Sequence, residues 1–280
     1  MVLSSARLLA AECATSEGPV PDSLPRALKE TPTFAIAMDA FLLRLPNGLK
    51  FHYQQGKGVT VSRPAAMPDT EVQLFLNGSV YGAIAWINGL VPLHASAVAH
   101  GGQVHAFTGH SGAGKSTLAA ALGGHGLPLF ADDVLVLDFS QPDRVMCLPG
   151  HKRLKLWGDA VTLTQATAGE QVRDGLDKFY IDPQAGFQSE PLPLAQLFFL
   201  GENARDGIAA QPIAGIDRFA IAKSAFYRPH FCTAVTEKKQ LFDVFSRLSK
   251  QVTMMKFDRP RRKEVFGDGV ALIAGIIKDC

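Results

Sequence analysis

The run from Gln103 to Leu122 constrains this chain more than any other stretch. It reads as a short strand, a glycine-rich loop and the opening turns of a helix. The loop fits G-x-x-x-x-G-K-[ST] at every fixed position, with Gly109, Gly114, Lys115 and Ser116 in place. Gly109, Gly112 and Gly114 let the backbone turn tightly and approach a ligand with no Cβ in the way. The amides of Gly109, His110, Ser111, Gly112, Ala113, Gly114, Lys115, Ser116 and Thr117 then converge with a helix N-terminus on one anion site. Lys115 can carry its charge to the outer phosphates of a nucleotide, and the Ser116 hydroxyl can enter a Mg²⁺ shell.

The surrounding chain has room for such a site. Its 280 residues allow one large domain or two smaller ones. At 47% hydrophobic and 19% charged it reads as a globular protein, and a net charge of +2 argues against bulk attraction to nucleic acid or membrane. Cys13, Cys147, Cys232 and Cys280 are scattered with no C-x-x-C pair, so reduced thiols and a cytoplasmic location are expected. The apolar start is broken by charge and too weak for a secretory signal, and no run is long enough to span a membrane.

In chain order, residues 1 to about 30 read as a helical or frayed arm ending in a Pro-rich connector. Phe34–Met38, Ala40–Leu45, Leu49–Gln54 and Val59–Ser62 read as strands, with Pro46-Asn47-Gly48 and Gln55-Gly56-Lys57-Gly58 as turns. A helix is expected from Asp69 to about Asn88. Pro92–Ala99 reads as one strand carrying His94, and His100-Gly101-Gly102 turns it straight into the loop strand. So short a turn makes the two strands antiparallel. The expected division is an N-terminal arm, β region and helix over 1–89, then 90–280, or one continuous domain.

Beyond the loop, Leu127–Asp138 predicts strand, an acidic pair, and strand again. Asp132 lies 17 positions after Lys115. Adjacent carboxylates at a strand break suit the phosphate end of a site, one supporting Mg²⁺ and the other orienting or deprotonating a nucleophile. Pro149–Trp157 is basic, with His151, Lys152, Arg153 and Lys155. It is either an anion-facing strand or a half-exposed strand with a charged face. Lys178 heads a strand at 178–183 and is either a phosphate or substrate contact or a solvated lysine. Residues 160–175 read as helix and loop, Gln196–Leu200 as strand and 201–211 as surface loop. Helices are expected at Ile216–Tyr227, with Arg228 at its end near the ligand, at Thr236–Lys250 and at Pro260–Ile277, and a strand at Val252–Phe257. Arg259, Arg261, Arg262 and Lys263 are read as a solvated helix start, with room for an anionic partner because positive charge there opposes the helix dipole.

Taken together, Leu93-His94-Ala95-Ser96, the loop from Gly109 to Ser116, and Ala131-Asp132-Asp133 resemble the catalytic core of the HPr kinase/phosphorylase family. The motif-bearing part covers roughly residues 90 to 140. The resemblance implies an α/β P-loop kinase core with a mixed sheet, similar to that of phosphoenolpyruvate carboxykinase, beside the small N-terminal β-rich region. It implies ATP and Mg²⁺, with Asp132 as base toward the acceptor hydroxyl, Ser116 and Asp133 on the metal side, and His94 tuning the pair. An arginine- and glycine-bearing signature that follows the acidic pair in the long family members is not found here. The chain therefore looks like the shorter HPr-kinase-like proteins, some of which phosphorylate a C-terminal serine of ribosomally made peptides, lasso-peptide precursors among them.

The expected activity is Mg²⁺-dependent transfer from ATP to a serine or threonine hydroxyl of a peptide or small protein, by a monomer or homo-oligomer. The alternatives are a small-molecule kinase of carboxykinase-like fold and a module that senses ATP without transferring phosphate. Phosphoryl transfer asks for positioning and charge neutralisation more than covalent chemistry, and His94, Lys115, Asp132 and Asp133 are residues of that kind.

Overall fold

The computed structural model describes residues 4–150, 154–173, 175–203 and 207–280. The expected basic residues His151, Lys152 and Arg153 lie outside them. The chain divides into two compact units, one of residues 1–92 and 227–241, the other of 93–226 and 242–280. The architecture is mixed α/β, with mixed sheets.

In the first unit, six strands lie in the order Thr15–Glu17, Gly58–Ser62, Lys50–Gln54, Ala40–Arg44, Phe34–Ile36 and Lys29–Glu30. Only the first pair is parallel; the others are antiparallel, two of them joined by tight turns at Asn47-Gly48 and Gly56. Alternation along Lys50–Gln54 buries Phe51 and Tyr53 and leaves the residues between them partly exposed. The predicted helix over 69–88 is continuous but not uniform. Asp69–Phe75 and Tyr81–Ile87 flank a π-helical turn at Leu76–Val80, and Gly89 ends it at φ +72°. The short helix Pro229–Val235 inserts Phe231 edge-on against Phe34 and Phe41, with centroids 5.0 Å away in each case.

The second unit is built on a mixed sheet whose central strand, Leu192–Glu202, is much longer than the predicted Gln196–Leu200. It pairs in parallel with Gln103–Thr108 on one side and Thr253–Arg259 on the other. Ala95–His100 lies antiparallel to Gln103–Thr108, as the short turn requires, with Gly101 and Gly102 left-handed. Leu129–Ala131 then pairs antiparallel with Ala95–His100. Helices Lys115–Gly123 and Phe266–Lys278 contribute Leu118, Leu122, Val270, Ile273 and Ile277 to one core with Phe107, Phe198 and Phe257 of the sheet. The apolar faces of both helices recur at helical spacing, so burial against the sheet fixes their rotation.

Two of the expected loops fail. The stretch expected as helix and loop over 160–175 includes a strand, Ala168–Gln171, in a separate three-stranded antiparallel sheet with Lys178–Ile181 and Leu154–Trp157. Part of the expected loop at 201–211 is strand as well, Ala209–Pro212 pairing with Thr253–Arg259. Neither strand alternates apolar with polar residues, so a period-two search passes over them. Among the described residues no helix is long and apolar enough to cross a membrane.

Candidate active site

The sheet topology brings the candidate residues to one edge. Gln103–Thr108, Leu192–Glu202 and Thr253–Arg259 are parallel, so their carboxyl ends point the same way, where open α/β sheets place their ligand crevices. The antiparallel neighbour Ala95–His100 opposes Thr108 with its first residue, which brings His94 to the same edge. Leu129–Ala131 runs antiparallel to that strand, so Asp132 emerges there too.

The glycine-rich loop leaves the sheet at Thr108. Gly109, Gly112 and Gly114 have φ of +152°, +84° and +86°. A Cβ on Gly109 would lie 2.8 Å from the Leu200 carbonyl oxygen; one on Gly112 would meet nothing within 4 Å. At Gly109 the loop therefore needs both the backbone freedom and the missing side chain. Gly114 precedes the helix Lys115–Gly123. Lys115 is buried, with Nζ donating to the carbonyls of Gly109 at 3.0 Å and His110 at 3.1 Å, so it folds back over its own loop. Burial lowers its pKa, the carboxylates of Asp133 and Asp132 raise it, and the Lys178 charge lowers it again; the net direction is down. His110 and Ser111 are exposed on the loop, His110 lying 3.8 Å from Glu202. Ala113 packs into the core, and Thr117 is half-buried on the helix.

Asp132 is the hub of the polar contacts. It is buried, and Oδ1 accepts from Ser116 Oγ and Ser96 Oγ, each at 2.7 Å. Oδ2 accepts from the Lys155 backbone N–H at 3.1 Å. Ser96, on the strand behind, is wholly buried and was not singled out as a site residue. A small polar residue inside an apolar strand was the signal that could have exposed it, since buried hydroxyls need a partner.

Asp133 turns away from this cluster. Its φ of +71° is uncommon for a residue with a side chain, although aspartate tolerates it better than most. The carboxylate is about one-third exposed and lies 3.4 Å from His94 Nδ1. That nitrogen also donates to the Asp133 carbonyl at 3.1 Å, which places the ring proton on Nδ1 because a carbonyl can only accept. Burial alone would raise the Asp133 pKa. The His94 hydrogen bond, the charge of Lys155, that of His94 and that of Lys178 outweigh it and bring the carboxyl to about 2.

His94 is not within a continuous strand as expected. It sits in the break between Val91–Leu93 and Ala95–His100. Its N–H donates to the Ala225 carbonyl at 2.7 Å and its carbonyl accepts from Thr108 Oγ1 at 3.0 Å. The interruption frees the imidazole from the period-two alternation of the sheet and lets it reach Asp133.

The basic candidates separate. Lys155, expected on a charged strand face, is buried and close enough to Asp133 to lower its pKa. Lys178 pairs across the strands with Trp157 and holds Nζ 5.6 Å from the Trp157 ring centre, with the indole half exposed. Arg228 belongs to the other unit, where its guanidinium lies over the Tyr227 ring. Arg259 does not start a solvated helix. It ends the strand Thr253–Arg259, half-buried over Phe266 at 5.2 Å.

No family model matches the chain, and no curated protein matches it in sequence. Among solved structures it is similar to the Hpr(Ser) kinase/phosphatase from Coxiella burnetii, with a TM-score of 0.35 and 11% identity over 67% of this chain and 94% of that one. At that overlap the likeness carries no residue-by-residue correspondence, and the contacts at the sheet edge stand by themselves. They place a cation, a hydroxyl–carboxylate pair and a second carboxylate around the glycine-rich loop.

Proposed function

We propose that this chain is a kinase that uses ATP and Mg²⁺ to phosphorylate a serine or threonine hydroxyl of a peptide or small protein. The observation that carries the reading is the placement of Asp132 on Ser116 of the glycine-rich loop, with Asp133 and His94 immediately beside it. In this reading the loop amides and Lys115 bind the phosphate chain of the nucleotide.

The donors fit Mg²⁺. Ser116 Oγ and the Asp132 carboxylate are hard oxygen ligands, and this ion takes one or two carboxylates with phosphate oxygens and water rather than a protein cage. Among the described residues no cluster of three or more His, Cys, Asp or Glu forms such a cage. When bound, the ion would supply neutralisation of the charge on the phosphate oxygens.

This geometry favours a different order of roles within the acidic pair from the one the resemblance implied. Asp132 is buried and occupied by Ser116, Ser96 and the Lys155 amide, which suits the metal side. Asp133 is more open and aligned by His94, which suits the acceptor side. The acceptor oxygen bonds to the terminal phosphorus as the bond from that phosphorus to the ADP oxygen breaks. The hydroxyl proton passes to Asp133, and ADP leaves. With a pKa of about 2 this carboxylate orients the hydroxyl first and receives its proton late, as a loose phosphoryl-transfer transition state permits.

Transfer of labelled γ-phosphate to peptides carrying a C-terminal or internal serine tests the reading, with Lys115→Ala as the silent control. Label in a small hydroxylated metabolite and never in a peptide would overturn the acceptor class. Nucleotide binding with no labelled product from either would leave a sensing module.

A further inference from the structure

The guanidinium of Arg259 points at the glycine-rich loop with no hydrogen-bond or ion-pair partner among the described residues. A Cβ on Gly114 would lie 2.7 Å from one of its terminal nitrogens. The strand register explains the approach. Thr108 pairs with Phe199 on the central strand, which runs on to Glu202, and Glu202 pairs with Arg259. Thr253–Arg259 therefore extends past the point where the loop leaves the sheet, and its last side chain can reach back to Gly114. The Phe266 ring beneath the guanidinium, 5.2 Å away, limits where it can go.

Its acidic neighbour in the ladder is engaged elsewhere. Glu202 lies 3.5 Å from Arg261 and 3.8 Å from His110. A cation beside a helix N-terminus opposes the helix dipole. Burial lowers the Arg259 pKa, Glu202 raises it and Arg261 lowers it, with a net downward direction. A half-buried guanidinium with unmatched donors beside a helix N-terminus is unfavourable unless an anion joins it. A phosphate oxygen on the loop would satisfy the donors and offset the opposed dipole at once.

We propose that Arg259 is a second cationic contact to the phosphate chain of the nucleotide on the Gly109–Ser116 loop. This rests on the loop being a nucleotide site. Gly114 is left-handed, and the Arg259 terminal nitrogen lies beside the position a side chain there would take.

The test is titration calorimetry of the full chain with MgATP, MgADP and inorganic pyrophosphate, for wild type, Arg259→Gln, Arg259→Met, Arg259→Lys and Lys115→Ala. Thermal melts show whether each variant is folded. The expected result is an affinity loss of about ten- to hundredfold for Arg259→Gln. Partial recovery in Arg259→Lys would follow from the restored charge without the planar fork. Equal affinity in wild type and a folded Arg259→Gln, with Lys115→Ala impaired, overturns the Arg259 contact and leaves the nucleotide site standing. No nucleotide or pyrophosphate binding by wild type overturns both. Should Arg259→Gln fail to fold, Arg259→Met decides: unchanged affinity in this uncharged variant overturns the cationic contact, and a measurable loss supports it.

Discussion

Ser116 Oγ and Asp132 Oδ1 are joined at 2.7 Å, and this bond ties the first turn of the loop helix to the end of a strand two places across the sheet. Ser96 Oγ holds the same oxygen at the same distance from the strand between. The carboxylate is thus fixed by groups on separate elements before any ligand arrives, which is the preorganisation that charge stabilisation requires.

Removing the supporting hydroxyl should loosen this carboxylate without deleting it. Ser96→Ala is expected to cost about 1.5–3 kcal/mol of stability, the range for a hydrogen bond to a charged group. It should raise the Mg²⁺ concentration needed for half-maximal transfer. Asp132→Asn should raise that concentration far more than Asp133→Asn does. Metal titration of activity in the three variants checks the order, and a larger Mg²⁺ effect in Asp133→Asn would reverse the assigned roles.

The depressed Asp133 pKa has a stability consequence with a definite sign. Its folded value of about 2 lies below the unfolded carboxylate value of about 4. The ionised group therefore contributes stability that is fully present above about pH 4 and is lost as the pH falls through about 2. Denaturant unfolding of wild type and Asp133→Asn should differ above about pH 4, with the carboxylate's share of the gap shrinking as the pH falls from about 4 toward 2. A gap that does not shrink below about pH 4 would contradict the value.

The loop glycines should not be equivalent. Gly112→Ala adds a side chain in open space at φ +84°, so only the left-handed backbone is penalised, by about 1–2 kcal/mol. Gly109→Ala also drives a methyl into the Leu200 carbonyl, which belongs to the central strand and cannot move aside. Its cost should be greater, roughly 2–5 kcal/mol. Thermal or urea unfolding of the two variants gives the comparison.

Lys115→Met keeps most of the buried stem and deletes the charge. The Gly109 and His110 carbonyls lose their donor, and a bound phosphate chain loses a contact. Nucleotide affinity should fall roughly a hundredfold or more. Calorimetric titration with MgATP is the measurement, and unchanged affinity would remove the loop from nucleotide binding.

Much of the second unit was legible because its signals are local. The His100-Gly101-Gly102 turn required an antiparallel pair, and Ala95–His100 and Gln103–Thr108 form one. The strand–glycine–helix run from Gln103 likewise adopts the predicted elements. The break that releases His94 was not legible, because it depends on the Ala225 carbonyl and Thr108 hydroxyl, partners distant in sequence. The position of Lys155 was hidden for the same reason: alternating charge in a strand does not say which face tertiary packing will bury.

By itself, the sequence determined the loop. Glycine spacing sets where a left-handed backbone is cheap, and a lysine and a hydroxyl follow at positions that local geometry controls. Tertiary structure alone decided what surrounds it. Ser96 meets Asp132 because two strands pair antiparallel, and Arg259 reaches Gly114 because a parallel strand overruns the loop by its register. Strand register depends on pairing energies between distant segments, and no spacing within any one of them records it.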